Sequence, residues 1–228
     1  MSELLYYGLP LLGLAITSFA QLKITTNYSK YKGVRAKSGK RGSEVARMIL
    51  DKHGLRNIAV EEVAGNLTDH YDPTKKVVRL STDIYSGSSI ASVSVAAHEC
   101  GHAIQDKVGY TPMRIRSALV PVVNFSTKIG YLVIMIGLIL GFLKLAVIGL
   151  ILLLSMLLFQ LVTLPVEFDA SRRGKIELDE LGILDSSEQK GSAKMLSAAA
   201  FTYVASVLST LLQILRMALM VMGGRNKR

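Results

Sequence analysis

Residues 98–102 read His98-Glu99-Cys100-Gly101-His102. They lie inside Ser89 to Asp106, a stretch whose periodicity predicts one helix with Val93, Ala96, Ala97 and Cys100 as its small apolar packing face. Histidines four apart on a helix point the same way, one turn above the other. Their imidazoles can therefore share one metal ion, and zinc suits two nitrogen ligands on a helix. Glu99 lies between them, beside the metal, placed to take a proton from an attacking water. The pattern is the two-histidine half of a zinc peptidase site.

The chain around this motif is half hydrophobic over 228 residues, and its mean hydropathy is positive. It is too apolar for an ordinary soluble domain and too charged for a pure membrane bundle, which predicts a multi-pass membrane protein with one modest polar domain. The net charge is +10, with no basic tract interleaved with aromatic residues. That charge reads as lysines and arginines flanking membrane spans, and nucleic acid is not an expected partner. The single cysteine, Cys100, excludes an internal disulfide. Thiolate ligation at Cys100 is conceivable, but its place beside Glu99 aims it away from the His98/His102 face, so it reads as a small packed residue.

Three apolar blocks organise the rest. Leu4 to Leu22 carries Glu3 at its start and no convincing cleavage site at its end, so it reads as a retained span rather than a signal peptide. Pro121 to Leu164 is too long for one crossing, because a helix spans with about 20 residues. Gly141 to Lys144 divides it into a hairpin of two spans, with Lys128 near one end, where it can snorkel. Leu196 to Gly223 contains Arg216, and its second part, from about Ala205 to Met222, is the expected last span. The expected divisions are thus a first span over 1–22, a first catalytic part over 23–118, the hairpin over 119–164, a second catalytic part over 165–204, and a last helix with basic tail over 205–228.

Lys23 to Arg41 holds seven basic residues and no acidic one. By the positive-inside rule this places the polar domain in the cytosol. The hairpin tip carries only Lys144, which suits the opposite side. Arg225-Asn226-Lys227-Arg228 disagrees with that topology: either the rule is outvoted there, or the last helix lies at the interface.

Catalytic zinc takes three protein ligands and keeps one position open. The third ligand must come from elsewhere on the chain, from acidic groups, His53 or His70, and Glu167 is the best candidate. It follows the hairpin in Leu164-Pro165-Val166-Glu167-Phe168-Asp169-Ala170-Ser171-Arg172-Arg173, and two crossings return it to the side where His98 and His102 sit. Ligating histidines donate their second ring N–H to a carboxylate or carbonyl. Asp106, one turn beyond His102, and Asp169, two residues past Glu167, are candidates for that role, and a solvated helix charge is the plainer reading of each. His70, in Thr68-Asp69-His70-Tyr71-Asp72-Pro73, is a candidate oxyanion or substrate contact or else a turn residue. His53 reads as a helix C-terminal charge before Gly54. Ile58–Val63 reads as a strand, and Asp72-Pro73-Thr74 as a turn between Leu67–Tyr71 and the β-branched strand Lys75–Ser81, which, if an exposed edge, could pair with an extended peptide.

These residues resemble the YugP-like family described as "putative neutral zinc metallopeptidase", found in bacterial membranes. The likeness extends over the N-terminal span, Leu67–Pro73, Ala96–Ala103 and Leu164–Arg173. More distantly the chain is similar to membrane gluzincins of the HtpX and CAAX-prenyl-protease type, which also place a hairpin between their histidine motif and a glutamate ligand. The resemblance implies an α-helical integral membrane protein with a small α+β zincin-like (gluzincin) catalytic domain. It implies zinc on His98, His102 and Glu167, Glu99 as the catalytic residue, and a peptide or membrane-protein substrate at the lipid bilayer. One position departs from the pattern. Distant relatives often carry an aspartate four residues after the glutamate ligand, where this chain has Ser171; either Asp169 substitutes, or the histidines are oriented differently. A catalytically idle zinc-binding scaffold is the first competing reading, favoured by a closed fourth ligand such as His70. A small channel or transporter subunit is the second, motivated by Lys128 and Arg216 within apolar spans, although both stand near plausible ends, where snorkelling is the plainer account.

Overall fold

A computed structural model describes residues 3–225, so Asn226, Lys227 and Arg228 of the basic tail lie outside the described residues. The elements in order are α1 (Glu3–Lys32), α2 (Gly42–Lys52), β1 (Ala59–Val63), β2 (His70–Asp72), β3 (Val77–Ser81), α3 (Thr82–Tyr85), α4 (Ile90–Lys107), α5 (Thr111–Ile139), α6 (Leu143–Glu180) and α7 (Ser186–Arg225). The chain forms two compact units. One gathers residues 1–21, 114–164 and 201–228; the other gathers 22–113 and 165–200. Among the described residues four helices, α1, α5, α6 and α7, are long and apolar enough to cross a membrane by length and composition.

The first unit is built by small residues at close approaches, the means by which apolar helices pack without a solvent-driven force between them. α5 and α6 form a hairpin whose turn contains Gly141 at φ +70°. The break is shorter than the expected Gly141–Lys144, because Lys144 already belongs to α6. A methyl group at Gly137 would lie 2.5 Å from the Ala146 nitrogen. α1 and α7 run antiparallel, pairing Tyr6 with Arg216, Gly13 with Ser209 and Phe19 with Phe201.

The second unit holds the three-stranded sheet. α2 is amphipathic, and Val45, Ala46, Ile49 and Leu50 on its inner face are fully buried. Burying each of the large ones stabilises by roughly 1.5–3 kcal/mol. The Glu44 carboxylate accepts from the Arg41 N–H at 2.7 Å to close the helix start, and Gly54 at φ +67° ends it in the left-handed conformation. β1 pairs parallel with β3, β2 pairs antiparallel with β3, and the order is β1-β3-β2. The strand expected over Lys75–Ser81 is therefore the central one and not an exposed edge. Val77, Val78, Leu80 and Ser81 are buried on both of its faces, as a middle strand requires. Asp69, in the cluster before β2, accepts from the Ser81 N–H at 2.7 Å and from its hydroxyl, and so fixes where β3 turns into α3.

α4 starts at its N-cap Ser89, whose hydroxyl accepts from the Ser92 N–H at 3.1 Å. α4 meets the Pro165–Glu180 stretch of α6 through two glycines. A methyl at Gly101 would lie 2.4 Å from the Ala170 carbonyl oxygen, and one at Gly174 would lie 2.9 Å from the Ala97 carbonyl. Real side chains do not approach backbone that closely, so only glycine lets the two helices sit at this distance. Val166 and Ala170 are wholly buried in the seam. Pro165 lies inside α6 without ending it. It removes one backbone donor from the helix just before Glu167.

Candidate metal centre

The close approach of α4 and α6 sets the site. His98 and His102 stand one turn apart on α4, with ring centroids 4.8 Å apart. Glu167 projects from α6 between them, its Oε2 3.4 Å from His98 Nε2 and 3.7 Å from His102 Nε2. Two nitrogens and one oxygen bound at about 2.0–2.1 Å in a tetrahedron would stand roughly 3.3 Å from one another. Among the described residues these three form the one group of histidine, cysteine or acidic side chains that could hold a metal ion, with ligand atoms within 4.8 Å of one another. All three are largely shielded from solvent, and Glu167 is only 3 % exposed.

The hydrogen bonds behind the rings fit a metal. Gln105 is fully buried, and its Nε2 donates to the Val166 carbonyl at 2.8 Å and to the Asp169 carboxylate at 3.0 Å. Both of those partners only accept, so the amide nitrogen is assigned by chemistry and Gln105 Oε1 must be an acceptor. It lies 3.0 Å from His102 Nδ1, which therefore carries the proton. The Nε2 lone pair of His102 is left facing Glu167, as ligation requires. His98 Nδ1 lies 3.1 Å from the Ser171 hydroxyl, which accepts from that nitrogen when Nε2 serves as a ligand. The donor set and its tautomers thus suit zinc.

Ser171, at the position where distant relatives carry an aspartate, orients His98 directly. Asp169 does not touch a ring. It holds Gln105, and is itself paired with Arg172 and Arg173. Asp106, the other expected partner, accepts from the Tyr71 hydroxyl at 2.6 Å and pairs with Lys76, contacts that tie α4 to the sheet region. Gln105 carries no charge to single it out in the sequence; its one signal is a polar side chain three residues after His102 in an otherwise small and apolar run. His70 is exposed on β2, with its Nδ1 2.8 Å from the Thr68 carbonyl and its Nε2 3.4 Å from an Arg79 nitrogen. It stands outside the metal-competent group. His53 ends α2 as expected, but its ring pairs with Glu177 at 2.8 Å. Cys100 is fully buried with its sulfur 3.6 Å from the Ala46 carbonyl, and burial pushes the thiol above its ordinary range.

Glu99 is 7 % exposed. Burial pushes its carboxyl up to about 7, with the Glu167 and Asp69 carboxylates adding to the rise and His98 and the Tyr71 N–H opposing it. A carboxyl poised near neutrality beside two potential ligands can both take up and release a proton.

The orienting contacts make a measurable prediction. Gln105→Leu keeps the volume and removes the amide, so zinc affinity should fall by about 10–100-fold with secondary structure intact. Ser171→Ala should lower it in the same direction through His98. Competition with a chromophoric chelator measures both. Unchanged affinity in the two variants would mean that packing alone holds the rings.

A paired-histidine and glutamate group with a buried carboxyl between the histidines is the arrangement that zinc metallopeptidases use. A family model described as "Putative neutral zinc metallopeptidase" matches residues 6–222, and the chain belongs to that family. It is 45% identical over 224 residues to the "Putative membrane protease YugP" of Bacillus subtilis (strain 168), an overlap that covers 98% of this chain and 100% of that protein. No solved structure matches the chain.

Proposed function

We propose that this chain is an integral-membrane, zinc-dependent endopeptidase of the gluzincin type that cleaves peptide bonds in membrane-associated proteins, in their processing or quality control. The observation that carries this reading is the convergence of His98, His102 and Glu167, with each histidine's other nitrogen already engaged. Zinc bound there would supply Lewis acidity and draw the pKa of a coordinated water toward about 7. Glu99 accepts the proton of the attacking water and delivers it to the leaving amine nitrogen. Its burial keeps bulk water from competing for that proton. Ser171 and Gln105 hold the histidine rings in register, and Asp169 holds Gln105.

The reading is tested on purified full-length protein in detergent or nanodiscs with an unfolded membrane-anchored substrate. Cleavage should vanish on chelation and return when zinc is restored. Bound zinc with no cleavage of any offered substrate would favour an idle scaffold.

The proposed site faces the cytosol. The seven basic residues of Lys23–Arg41 support this orientation. With Cys100 replaced by Ala, a membrane-impermeant thiol reagent applied outside intact cells should label Lys144→Cys and spare Lys37→Cys. The opposite pattern would reverse the orientation.

A further inference from the structure

The first unit contains a polar feature that peptide hydrolysis does not use. α1, α5 and α7 line an open cavity of about 410 Å³, bordered by Leu14, Thr17, Tyr131, Ser209, Gln213 and Arg216, among others. Tyr131 donates its hydroxyl to Gln213 Oε1 at 2.7 Å, and Gln213 Nε2 reaches the Ser209 hydroxyl at 3.4 Å. The Arg216 guanidinium lies over the Tyr6 ring, 4.5 Å from its centroid. Stacking engages a face of the guanidinium and none of its in-plane N–H groups. Arg216 Nε is buried and has no hydrogen-bond partner among the described residues.

A cation in this unit calls for an anion. A charge within membrane-crossing helices is costly unless it is paired. The sequence places only one carboxylate in the whole unit, Glu3, one turn before Tyr6. The cavity's rim includes Leu14 and Tyr131, which are 62 % and 39 % exposed on helices whose surroundings are hydrocarbon if they span. A water-soluble anion would have to shed its hydration to reach such a place. An anionic phospholipid already lies in the bilayer and brings acyl chains that match the apolar rim.

We propose that this cavity is a binding site for one anionic glycerophospholipid. Arg216 takes a phosphate oxygen in a charge-assisted hydrogen bond, Tyr131, Gln213 and Ser209 contact the headgroup, and an acyl chain lies along Leu14. The site does not depend on zinc or on Glu99, so it stands or falls separately from the peptidase reading.

The test uses full-length protein in nanodiscs of phosphatidylcholine with a small fraction of phosphatidylglycerol. After re-extraction, the phospholipid retained per chain is counted by mass spectrometry. Wild type should retain phosphatidylglycerol with about tenfold enrichment over phosphatidylcholine, the ratio expected from one charge-assisted contact. Arg216→Gln should abolish the enrichment, and Glu99→Gln should leave it unchanged. If Arg216→Gln fails to fold, Gln213→Leu supplies the second measurement and should reduce the enrichment. Full enrichment in either the arginine or the glutamine variant would overturn the proposal. Displacement of the lipid by millimolar inorganic phosphate, or equal retention of oleate, would also overturn it by showing a different anion. Enrichment that is absent in wild type and arises only in Glu3→Gln would overturn it by showing that the partner of Arg216 is internal.

Discussion

Glu99→Gln should lower peptide hydrolysis by roughly 10²-fold or more while leaving zinc and fold in place. Glutamine fills the same volume, and its amide oxygen can still accept from the Tyr71 N–H that reaches Glu99. What is lost is the capacity to take a proton. The substitution also carries little structural penalty. Burial already pushes the Glu99 carboxyl up to about 7, so a neutral group is tolerated at this place. Turnover and zinc content measured on the same preparation separate the two effects. Near-wild-type cleavage by a clean preparation of the variant would exclude Glu99 as the base.

Glu167→Ala should remove zinc and, with it, activity. Its carboxylate stands within 3.4 and 3.7 Å of the two imidazoles and supplies the only negative charge among the three proposed ligands. Losing an orienting residue lowers metal affinity by about 10–100-fold, and losing a ligand should exceed that. The alanine also leaves a cavity in the seam between α4 and α6, so Glu167→Gln is the companion variant. It keeps the volume and removes the charge, and should lose zinc as well. If both variants keep full zinc occupancy and activity, the third ligand lies elsewhere, with His70 or Asp169 the next to test.

The site was legible where local periodicity decides geometry. Two histidines four apart on a helix share a face whatever the tertiary structure, and an apolar block of double length with Gly141 near its middle reads as a helical hairpin, which α5 and α6 form. Contacts set between distant segments were not legible. Nothing local marks Gly101 and Ala170, or Ala97 and Gly174, as partners across α4 and α6, although the missing glycine side chains let the two helices approach. Val77-Val78-Arg79-Leu80 reads as a strand from β-branched content alone, which says nothing about sheet order; its apolar run, broken only by Arg79, is the sequence signal for the central position where the strand is nearly all buried. Carboxylates are the usual partners of ligating histidines, which makes Asp106 and Asp169 the candidates the sequence offers. In the fold an amide and a hydroxyl take those roles; Asp169 stands one contact further out, behind Gln105, and Asp106 pairs with Tyr71 and Lys76.

The central claim is that His98, His102 and Glu167 together hold one zinc ion with a position left open. X-ray absorption at the zinc edge, on full-length protein whose metal content is measured in parallel, tests it most directly. About one zinc per chain is expected, with two imidazoles and one carboxylate oxygen at about 2.0–2.1 Å and a further light-atom ligand that exchanges with solvent. A sulfur neighbour, a third imidazole, or a zinc shell unaltered in Glu167→Ala would contradict it.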